Sequence, residues 1–355
     1  MKTTAPIRTA EPLLEINGLH TYIPTPTGVV RAVDDVSLGL RRGEALGIVG
    51  ESGSGKSVLA RSVMGLLPPE AVRSGRIGFD GQDLLTAGRE RLHQLWGARL
   101  AIVFQDPSRS LNPVVRVERQ LTEGMRRHLG LGRSEARTRA VRLLAEVGVP
   151  DPERRLSNYP GQMSGGMCQR VMIAVALSCE PELLIADEPT TALDVTVQRQ
   201  ILDLLDRLRR AHGMALLLIS HDLGVVAGRT EQLAVMYSGR VVETGPTRAV
   251  FAHPRHRYTE ALLSATPSLT AIRHSRLRVI PGSLPSMYNP PAGCRFAARC
   301  AHADDACTEP GAGALGAPTG GHDHSCRHPA PDVELMPNGA AAAAQEQEGG
   351  SADGR

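Results

Sequence analysis

The stretch GESGSGKS, residues 50–57, decides the fold of this chain. It fits the pattern G-x-x-x-x-G-K-[ST], in which glycines let the backbone curl until successive N–H groups face phosphate oxygens. An apolar strand pattern at residues 45–49 leads into it, and a helical pattern at residues 58–67 leads out of it until Pro68 and Pro69 stop the helix. The pattern requires this context, so the sequence predicts a phosphate-binding loop, called the P-loop below.

We expect every residue of the P-loop to line the phosphate site. Lys56 supplies a compact charge for the β- and γ-phosphates and takes part in catalysis, and Ser57 supplies a hydroxyl for Mg²⁺. Of the 40 basic residues, only Lys2 and Lys56 are lysines, so the interior lysine stands where a point charge is needed. The expected phosphate contacts are Gly50, Glu51, Ser52, Gly53, Ser54, Gly55, Lys56 and Ser57.

Two carboxylates follow a second apolar strand pattern, LLIAD at residues 183–187. Asp187 is expected to reach Mg²⁺ through water, and Glu188 is the candidate for orienting or deprotonating the attacking water. A third apolar run, ALLLIS at residues 215–220, is separated from the second by a helical pattern. Buried strands that alternate with helices indicate a parallel sheet, so we expect an α/β fold.

Bulk composition argues against two classes of protein. The net charge of +3 is too weak for a nucleic-acid footprint. The longest apolar run, residues 171–179, is about half the length that a membrane-spanning helix needs, and the first residues hold no apolar signal-peptide core. We therefore expect a chain that stays in the cytosol, where disulfides are disfavoured, and that has no nucleic-acid partner.

The pattern also divides the chain into segments. Residues 13–49 are β-rich, and LAVMYSGRVVETG predicts a hairpin that turns at Ser238 and Gly239. The expected organisation is a flexible N-terminus at 1–12, a nucleotide-binding domain at 13–265 with a helical subdomain at about 106–180, a cysteine-rich metal-binding extension at 266–330 and a disordered tail at 331–355.

Three further stretches carry a family resemblance: VFQDP with Gln105, MSGGMCQR with Ser164, and ISHDL with His221. Their order along the chain, together with the P-loop, Asp187 and Asp194, resembles that of the ABC ATPases. The resemblance implies ATP hydrolysis and a P-loop NTPase fold of ABC type. It also implies an antiparallel β subdomain, a helical subdomain and, at the C-terminus, a cysteine-rich extension.

The resemblance assigns roles to the matched residues. In this family two subunits meet head to tail, and the signature residues of one, here Ser164, Gly165 and Gly166, close on the γ-phosphate held by the other. Gln105 is then expected to contact Mg²⁺ and the attacking water, and His221 to hold the γ-phosphate and that water in place.

Three more residues are placed by the same resemblance. Asp194 lies where the family's D-loop crosses the dimer interface. Tyr22 is placed to stack on adenine, with an ordinary strand tyrosine as the alternative. Cys168 stands where close relatives usually carry arginine, and we expect it to alter a surface contact.

Longer stretches, among them ADEPTTALDVTVQRQIL and GCRFAARC, resemble one branch, the ATP-binding subunits of oligopeptide, dipeptide and nickel importers. The branch implies two membrane permease subunits, a second and non-identical ATPase, an extracytoplasmic solute-binding protein, and a place at the cytoplasmic face of the membrane. The alternatives are an importer of nickel or another small solute, and a DNA-maintenance ABC ATPase. The last would need a coiled-coil insertion, and no sustained heptad run is present.

Four of the six cysteines lie near the end of the chain: Cys294, Cys300, Cys307 and Cys326. In a reducing compartment such a cluster points to metal. Some relatives in the branch carry a 4Fe–4S cluster there, and four thiolates suit it. Zinc is the alternative, since a Cys₄ or Cys₃His site is also possible with His302, His322, His324 and His328 close by in the sequence.

Overall fold

The computed structural model describes residues 12–191, 193–266, 279–316, 319 and 321–331. The flexible N-terminus expected at 1–12 and the disordered tail expected at 331–355 lie outside these ranges, apart from residues 12 and 331.

Strands and helices alternate through most of the described chain. The strands are β1 (Leu14–Thr25), β2 (Gly28–Leu40), β3 (Ala45–Val49), β4 (Val72–Phe79), β5 (Gln82–Asp83), β6 (Leu100–Val103), β7 (Leu183–Asp187), β8 (Ala215–Ser220), β9 (Gln232–Tyr237), β10 (Arg240–Pro246) and β11 (Asp323–His324). The helices are α1 (Lys56–Met64), α2 (Arg89–Leu95), α3 (Pro107–Ser110), α4 (Val117–His128), α5 (Arg133–Glu146), α6 (Pro152–Leu156), α7 (Gly165–Leu177), α8 (Val195–His212), α9 (Leu223–Val226), α10 (Thr247–Ala252) and α11 (Arg257–Ala265).

Two sheets form the scaffold. One is antiparallel, in the order β2-β1-β4-β5, and the other has the order β11-β10-β9-β3-β8-β7-β6, with β9, β3, β8, β7 and β6 parallel. The parallel sheet expected from the sequence is confirmed. The carboxyl ends of β3, β7 and β8 therefore meet at one edge, where the P-loop, Asp187 and His221 follow them.

Both faces of the parallel sheet are covered, which explains its near-continuous apolar strands. In β7, Leu183 and Ile185 pack into a core with α1 and the antiparallel sheet. Leu184 and Ala186 face the opposite core, which they share with α4, α5, α7 and α8. The strand that ends at Asp187 and leads into Glu188 is thus fixed from both sides.

The helix after the P-loop differs from its expected bounds of residues 58–67. α1 starts at Lys56 and ends at Met64, because Gly65 adopts a left-handed conformation with φ 66° and its N–H closes back on the last turn. The glycine ends the helix before Pro68 and Pro69 are reached, so the predicted end was wrong.

Two other expectations are confirmed. The helical region expected at about 106–180 contains α3 to α7. The hairpin β9–β10 turns at Ser238 and Gly239, whose φ values of 45° and 85° are the positive angles that a two-residue hairpin turn requires.

The described residues from 279 onwards, which include four cysteines, return to the larger sheet. β11 pairs antiparallel with β10, through Glu243 with His324 and Thr244 with Asp323. Phe296 of the extension is buried against the rings of Tyr237 and Tyr258. The sequence pattern did not predict this extra strand. Among the described residues, the helices are all too short or too polar to cross a bilayer.

Candidate active site

The curl of the P-loop depends on two glycines. A Cβ on Gly50 would stand 2.1 Å from the carbonyl oxygen of Met236, and one on Gly55 would stand 2.2 Å from that of Ala32. Both glycines also have positive φ, 155° and 102°. The backbone therefore reaches its phosphate-facing shape only without side chains at these positions.

Lys56, the first residue of α1, is held inside the P-loop. It is 3% exposed, and its Nζ donates to the carbonyl oxygens of Gly50 at 2.7 Å and Glu51 at 2.8 Å and to Ser54 Oγ at 3.3 Å. Burial lowers the pKa of Lys56, although the charges of Glu188 and Asp187 oppose that effect. The ammonium is thus placed beside the curled backbone, where phosphate oxygens would bind.

Ser57 and Asp187, both expected near Mg²⁺, lie side by side. Ser57 Oγ donates to Asp187 Oδ1 at 2.8 Å. Asp187 is buried, and burial raises the pKa of its carboxyl despite this hydrogen bond. A hydroxyl and a carboxylate side by side at the mouth of the P-loop suit a small, hard cation.

Glu188 is the point where the other catalytic candidates meet. Its Oε2 accepts hydrogen bonds from Gln105 Nε2 and from Thr191 Oγ1, each at 3.0 Å, and His221 Nδ1 lies 3.2 Å from it. Its backbone has φ 49°, in the left-handed region, and its N–H donates to Ile219. The sequence analysis did not single out Thr191, although this residue lies within the family-like stretch ADEPTTALDVTVQRQIL.

The signature residues stand at the exposed start of a helix. Ser164 begins α7 as its N-cap, accepting from the N–H of Met167 at 3.4 Å, and both Ser164 and Gly165 are exposed. No hydrogen bond joins the signature to the P-loop within the described part of the chain. Gln169 connects α7 to the residue after Glu188, because its Nε2 donates to the carbonyl oxygen of Pro189 at 2.6 Å. Asp194 likewise caps α8, accepting from Val197 at 2.9 Å.

Tyr22 is tied to a buried carboxylate. Its hydroxyl donates to Asp34 Oδ1 at 2.7 Å, and the guanidinium of Arg31 lies 5.8 Å from the ring centroid. Burial and the neighbouring Asp34 raise the pKa of Tyr22, so the phenol stays protonated. The residue is partly exposed.

The four cysteines of the extension line one small pocket, together with His256 and Phe296. The N–H of Cys294 donates to the carbonyl oxygen of Cys307 at 2.8 Å, which brings two of them together. In the described residues, the only group of three or more candidate metal ligands within 4.8 Å of one another is Asp304, Cys307 and His328. The four sulfurs thus share a pocket without forming a tight tetrahedron.

Comparisons with known proteins agree with this geometry. The model of the ABC transporter family matches residues 33–191, and the model of the oligopeptide/dipeptide transporter C-terminal region matches residues 242–307. A putative peptide import ATP-binding protein of Brucella melitensis is 50% identical over 308 residues, 86% of this chain and 92% of that protein. The dipeptide transport ATP-binding protein DppD of Escherichia coli is 47% identical over 324 residues, 90% of this chain and 98% of that protein. The chain belongs to the ATP-binding subunits of ABC peptide importers.

A solved structure extends this result to the fold. The dimeric ATP-binding cassette MJ0796, bound to ADP and phosphate, superposes with a TM-score of 0.60 and 26% identity over 66% of this chain and 99% of that one. The ABC fold with its antiparallel β subdomain and helical region is therefore confirmed. As an ABC subunit of this family the chain is an ATP hydrolase, and the DNA-maintenance alternative is set aside.

One expectation about the ABC signature was wrong. Cys168 does not lie at the surface: it is 8% exposed, and its thiol donates to the carbonyl oxygen of Pro160 at 3.3 Å. The third residue after Gly165 points inward because α7 packs this face against the helical region. An arginine at this position would have to rearrange that packing.

Proposed function

We propose that this chain couples ATP hydrolysis to the import of oligopeptides or dipeptides. The observation that carries the proposal is the convergence of Gln105, Thr191 and His221 on Glu188, next to the Ser57–Asp187 pair. Similarity over most of the chain to relatives named for peptide import and dipeptide transport supports the class of solute.

The P-loop binds the triphosphate in this proposal. Its N–H groups and the N-terminus of α1 face the phosphates, and Lys56, positioned by the carbonyl oxygens of Gly50 and Glu51, lies beside the phosphate oxygens. Tyr22 stacks on adenine. Ser57 and Asp187, with Gln105, hold Mg²⁺, which neutralises phosphate charge when bound.

Glu188 orients and deprotonates the attacking water. Its carboxylate is held by Gln105 and Thr191, so one oxygen is fixed while the other is free to accept from water. His221 is half exposed beside it, where it contacts the γ-phosphate and that water.

Two ATPase subunits complete each site between them. Ser164, Gly165 and Gly166 stand at the exposed N-terminus of α7, which is suited to meeting an anion held by another subunit. Val195, directly after Asp194, is 81% exposed, as expected for a residue that a partner covers. The partner is a related, non-identical ATPase.

The cysteine pocket fits a 4Fe–4S cluster. Four thiols line it, and the buried Nε2 of His256 has no hydrogen-bond partner among the described residues, as expected beside a missing acceptor. Because His256 Nδ1 accepts from the N–H of Tyr258 at 3.1 Å, the proton of a neutral ring lies on Nε2. A bound cluster would crosslink a segment that has little regular structure of its own.

Zinc fits this pocket less well. Tetrahedral zinc with Zn–S bonds of about 2.3 Å brings its sulfurs to about 3.8 Å from one another, whereas no three of these sulfurs lie within 4.8 Å. A 4Fe–4S cluster would take one thiolate from each of the four cysteines. Of the histidines considered, His322 is engaged by Glu243 and His328 by Asp304.

The proposed setting is the cytoplasmic face of the membrane. Two permease subunits receive the energy of hydrolysis, and an extracytoplasmic binding protein delivers the solute. Val114, in the segment after Gln105, is 80% exposed and offers an apolar contact for a permease.

Transport in a strain that lacks this chain tests the function. Uptake of labelled dipeptides and oligopeptides should return with the wild-type gene and not with the Glu188→Gln variant. Recovery of nickel uptake alone would replace peptide with metal as the solute.

Metal analysis tests the pocket. Protein purified without oxygen should be brown and contain about four irons and matching sulfide, and replacing Cys300 with serine should remove them. A colourless protein with one zinc would reject the cluster.

A further inference from the structure

Two arginines join the cysteine-bearing extension to the nucleotide site: Arg295 directly follows Cys294, and Arg299 directly precedes Cys300. We propose that both are positioning residues for ATP. Arg299 holds the P-loop through Glu51, and Arg295 holds Tyr22 through Asp34. This inference goes beyond solute import, and its test needs no transported solute.

Arg299 forms a bidentate ion pair with Glu51. Nη1 donates to Oε2 at 2.9 Å and Nη2 to Oε1 at 3.1 Å. Its Nε donates to the carbonyl oxygen of Pro281 at 2.7 Å, and Nη1 also reaches the hydroxyl of Tyr237 at 3.2 Å. The side chain is only 7% exposed. A bidentate pair of this kind fixes orientation as well as charge.

Glu51, which Arg299 holds in place, also contacts the catalytic lysine. Its N–H donates to the hydroxyl of Tyr258 at 2.9 Å, and its carbonyl oxygen accepts from Lys56 Nζ at 2.8 Å. With Arg299 on the side chain, all three polar groups of this P-loop residue are engaged. Without Arg299, the residue that positions Lys56 loses one of its three anchors.

Arg295 acts on the other end of the site. Its side chain is 3% exposed and donates both to the carboxylate of Asp34 and to the carbonyl oxygen of Ser238. The second oxygen of Asp34 accepts from the Tyr22 hydroxyl. Hydrogen bonds from Arg295 and from Tyr22 to the same carboxylate, Asp34, thus connect the extension to the ring proposed to stack on adenine.

The chain just before these arginines also lies against the site. The carbonyl oxygen of Met287 accepts from the N–H of Arg31 at 2.9 Å. Leu284 approaches Gly53 of the P-loop, where a Cβ would stand 3.8 Å from its Cδ1. The segment that carries the arginines therefore also contacts β2 and the P-loop directly.

The experiment separates positioning from simple attachment of the extension. Binding of ATP and of inorganic tripolyphosphate to the full-length chain is measured by calorimetry in metal-free buffer, so that no hydrolysis occurs. Arg299→Gln should weaken both ligands about tenfold, because the P-loop serves both. Arg295→Gln should weaken ATP about tenfold and tripolyphosphate less than twofold, because only ATP carries a base.

Three controls make the result specific. Arg327 follows Cys326 as Arg295 follows Cys294, but its side chain is half exposed and it pairs at 3.5 Å with Glu309 inside the extension. Arg327→Gln should therefore leave both affinities unchanged. Arg299→Lys keeps the positive charge but not the bidentate guanidinium, so it should bind both ligands more tightly than Arg299→Gln and more weakly than the wild type. Since Arg299 acts through Glu51, the double variant Glu51→Gln/Arg299→Gln should bind no more weakly than the weaker single variant.

Wild-type affinities in Arg299→Gln and Arg295→Gln, with folding confirmed by circular dichroism, would overturn the proposal. If Arg295→Gln does not fold, Arg295→Lys replaces it. If the Arg295 variant weakens ATP and tripolyphosphate binding equally, the proposal that Arg295 positions Tyr22 is overturned. The role of Arg295 rests on the proposed contact between Tyr22 and adenine, which Tyr22→Ala tests separately. Unchanged ATP affinity in Tyr22→Ala would reject that contact and would leave the role of Arg299 unaffected.

Discussion

Asp34→Asn removes one charge from a buried cluster and should destabilise the fold by about 3 kcal/mol at pH 7. Asp34 is 4% exposed and accepts from Tyr22, His20, Arg240 and Arg295. Burial raises the pKa of Asp34, but the hydrogen bond from Tyr22 and the charges of Arg295 and Arg240 outweigh it and lower the pKa from 3.8 to about 2.

The magnitude follows from that pKa and from the partner left behind. A fall of about 1.8 in pKa corresponds to about 2.5 kcal/mol of interaction with the ionised carboxylate. Burial also lowers the pKa of Arg295 to about 10, so Arg295 remains a buried cation at pH 7. Removing one partner of a buried pair costs about 3–5 kcal/mol for this reason.

Urea unfolding followed by circular dichroism measures the effect. The matched control is Asp35→Asn, since Asp35 is the exposed neighbour on the same strand and its φ of 59° is well tolerated by asparagine. Because the folded pKa of Asp34 is depressed, its stabilisation is present above about pH 4 and is lost as the pH falls towards 2. The difference between wild type and Asp34→Asn should shrink over this range. A difference below about 1 kcal/mol at pH 7, or one independent of pH, would refute the reasoning.

Three further outcomes are expected. Glu188→Gln should bind ATP within twofold of wild type and lower turnover by about 10²–10³-fold, with a trapped dimer on gel filtration; turnover like that of the wild type would reject the assigned base. Gly55→Ala should abolish ATP binding, because its Cβ meets a backbone carbonyl at 2.2 Å, whereas Gly81→Ala, with positive φ and open space around it, should bind normally. Gln169→Leu leaves the carbonyl of Pro189 without its donor and should lower both the thermal midpoint and turnover, at a cost of about 1–3 kcal/mol in unfolding free energy; an unchanged midpoint would contradict this.

The central part of the site could be predicted from the sequence because its signals are local. The glycines of the P-loop, the lysine and the serine lie within eight residues, and the strand patterns of β3, β7 and β8 are short and apolar. Parallel pairing then places the carboxyl ends together, which brings Asp187 and His221 to the same edge.

The contacts of the extension could not be predicted in this way. Arg299 meets Glu51 across 248 residues of chain, and β11 pairs with β10 through two residues only. Neither contact leaves a periodic pattern, since a single ion pair or a two-residue strand has none. The left-handed backbone of Glu188 was not predicted either: its N–H donates to Ile219 of the neighbouring strand β8, a contact between residues far apart in the chain.

The burial of Lys56 has a practical consequence for chemical labelling. Only Lys2 and Lys56 carry side-chain amines in this sequence, and Lys56 is enclosed by three acceptors within its own loop. An amine-selective reagent can acylate Lys56 only when the loop opens, because the amine is buried in the closed loop. The mass of a single peptide would then record how often the loop opens, with no engineered probe in the protein.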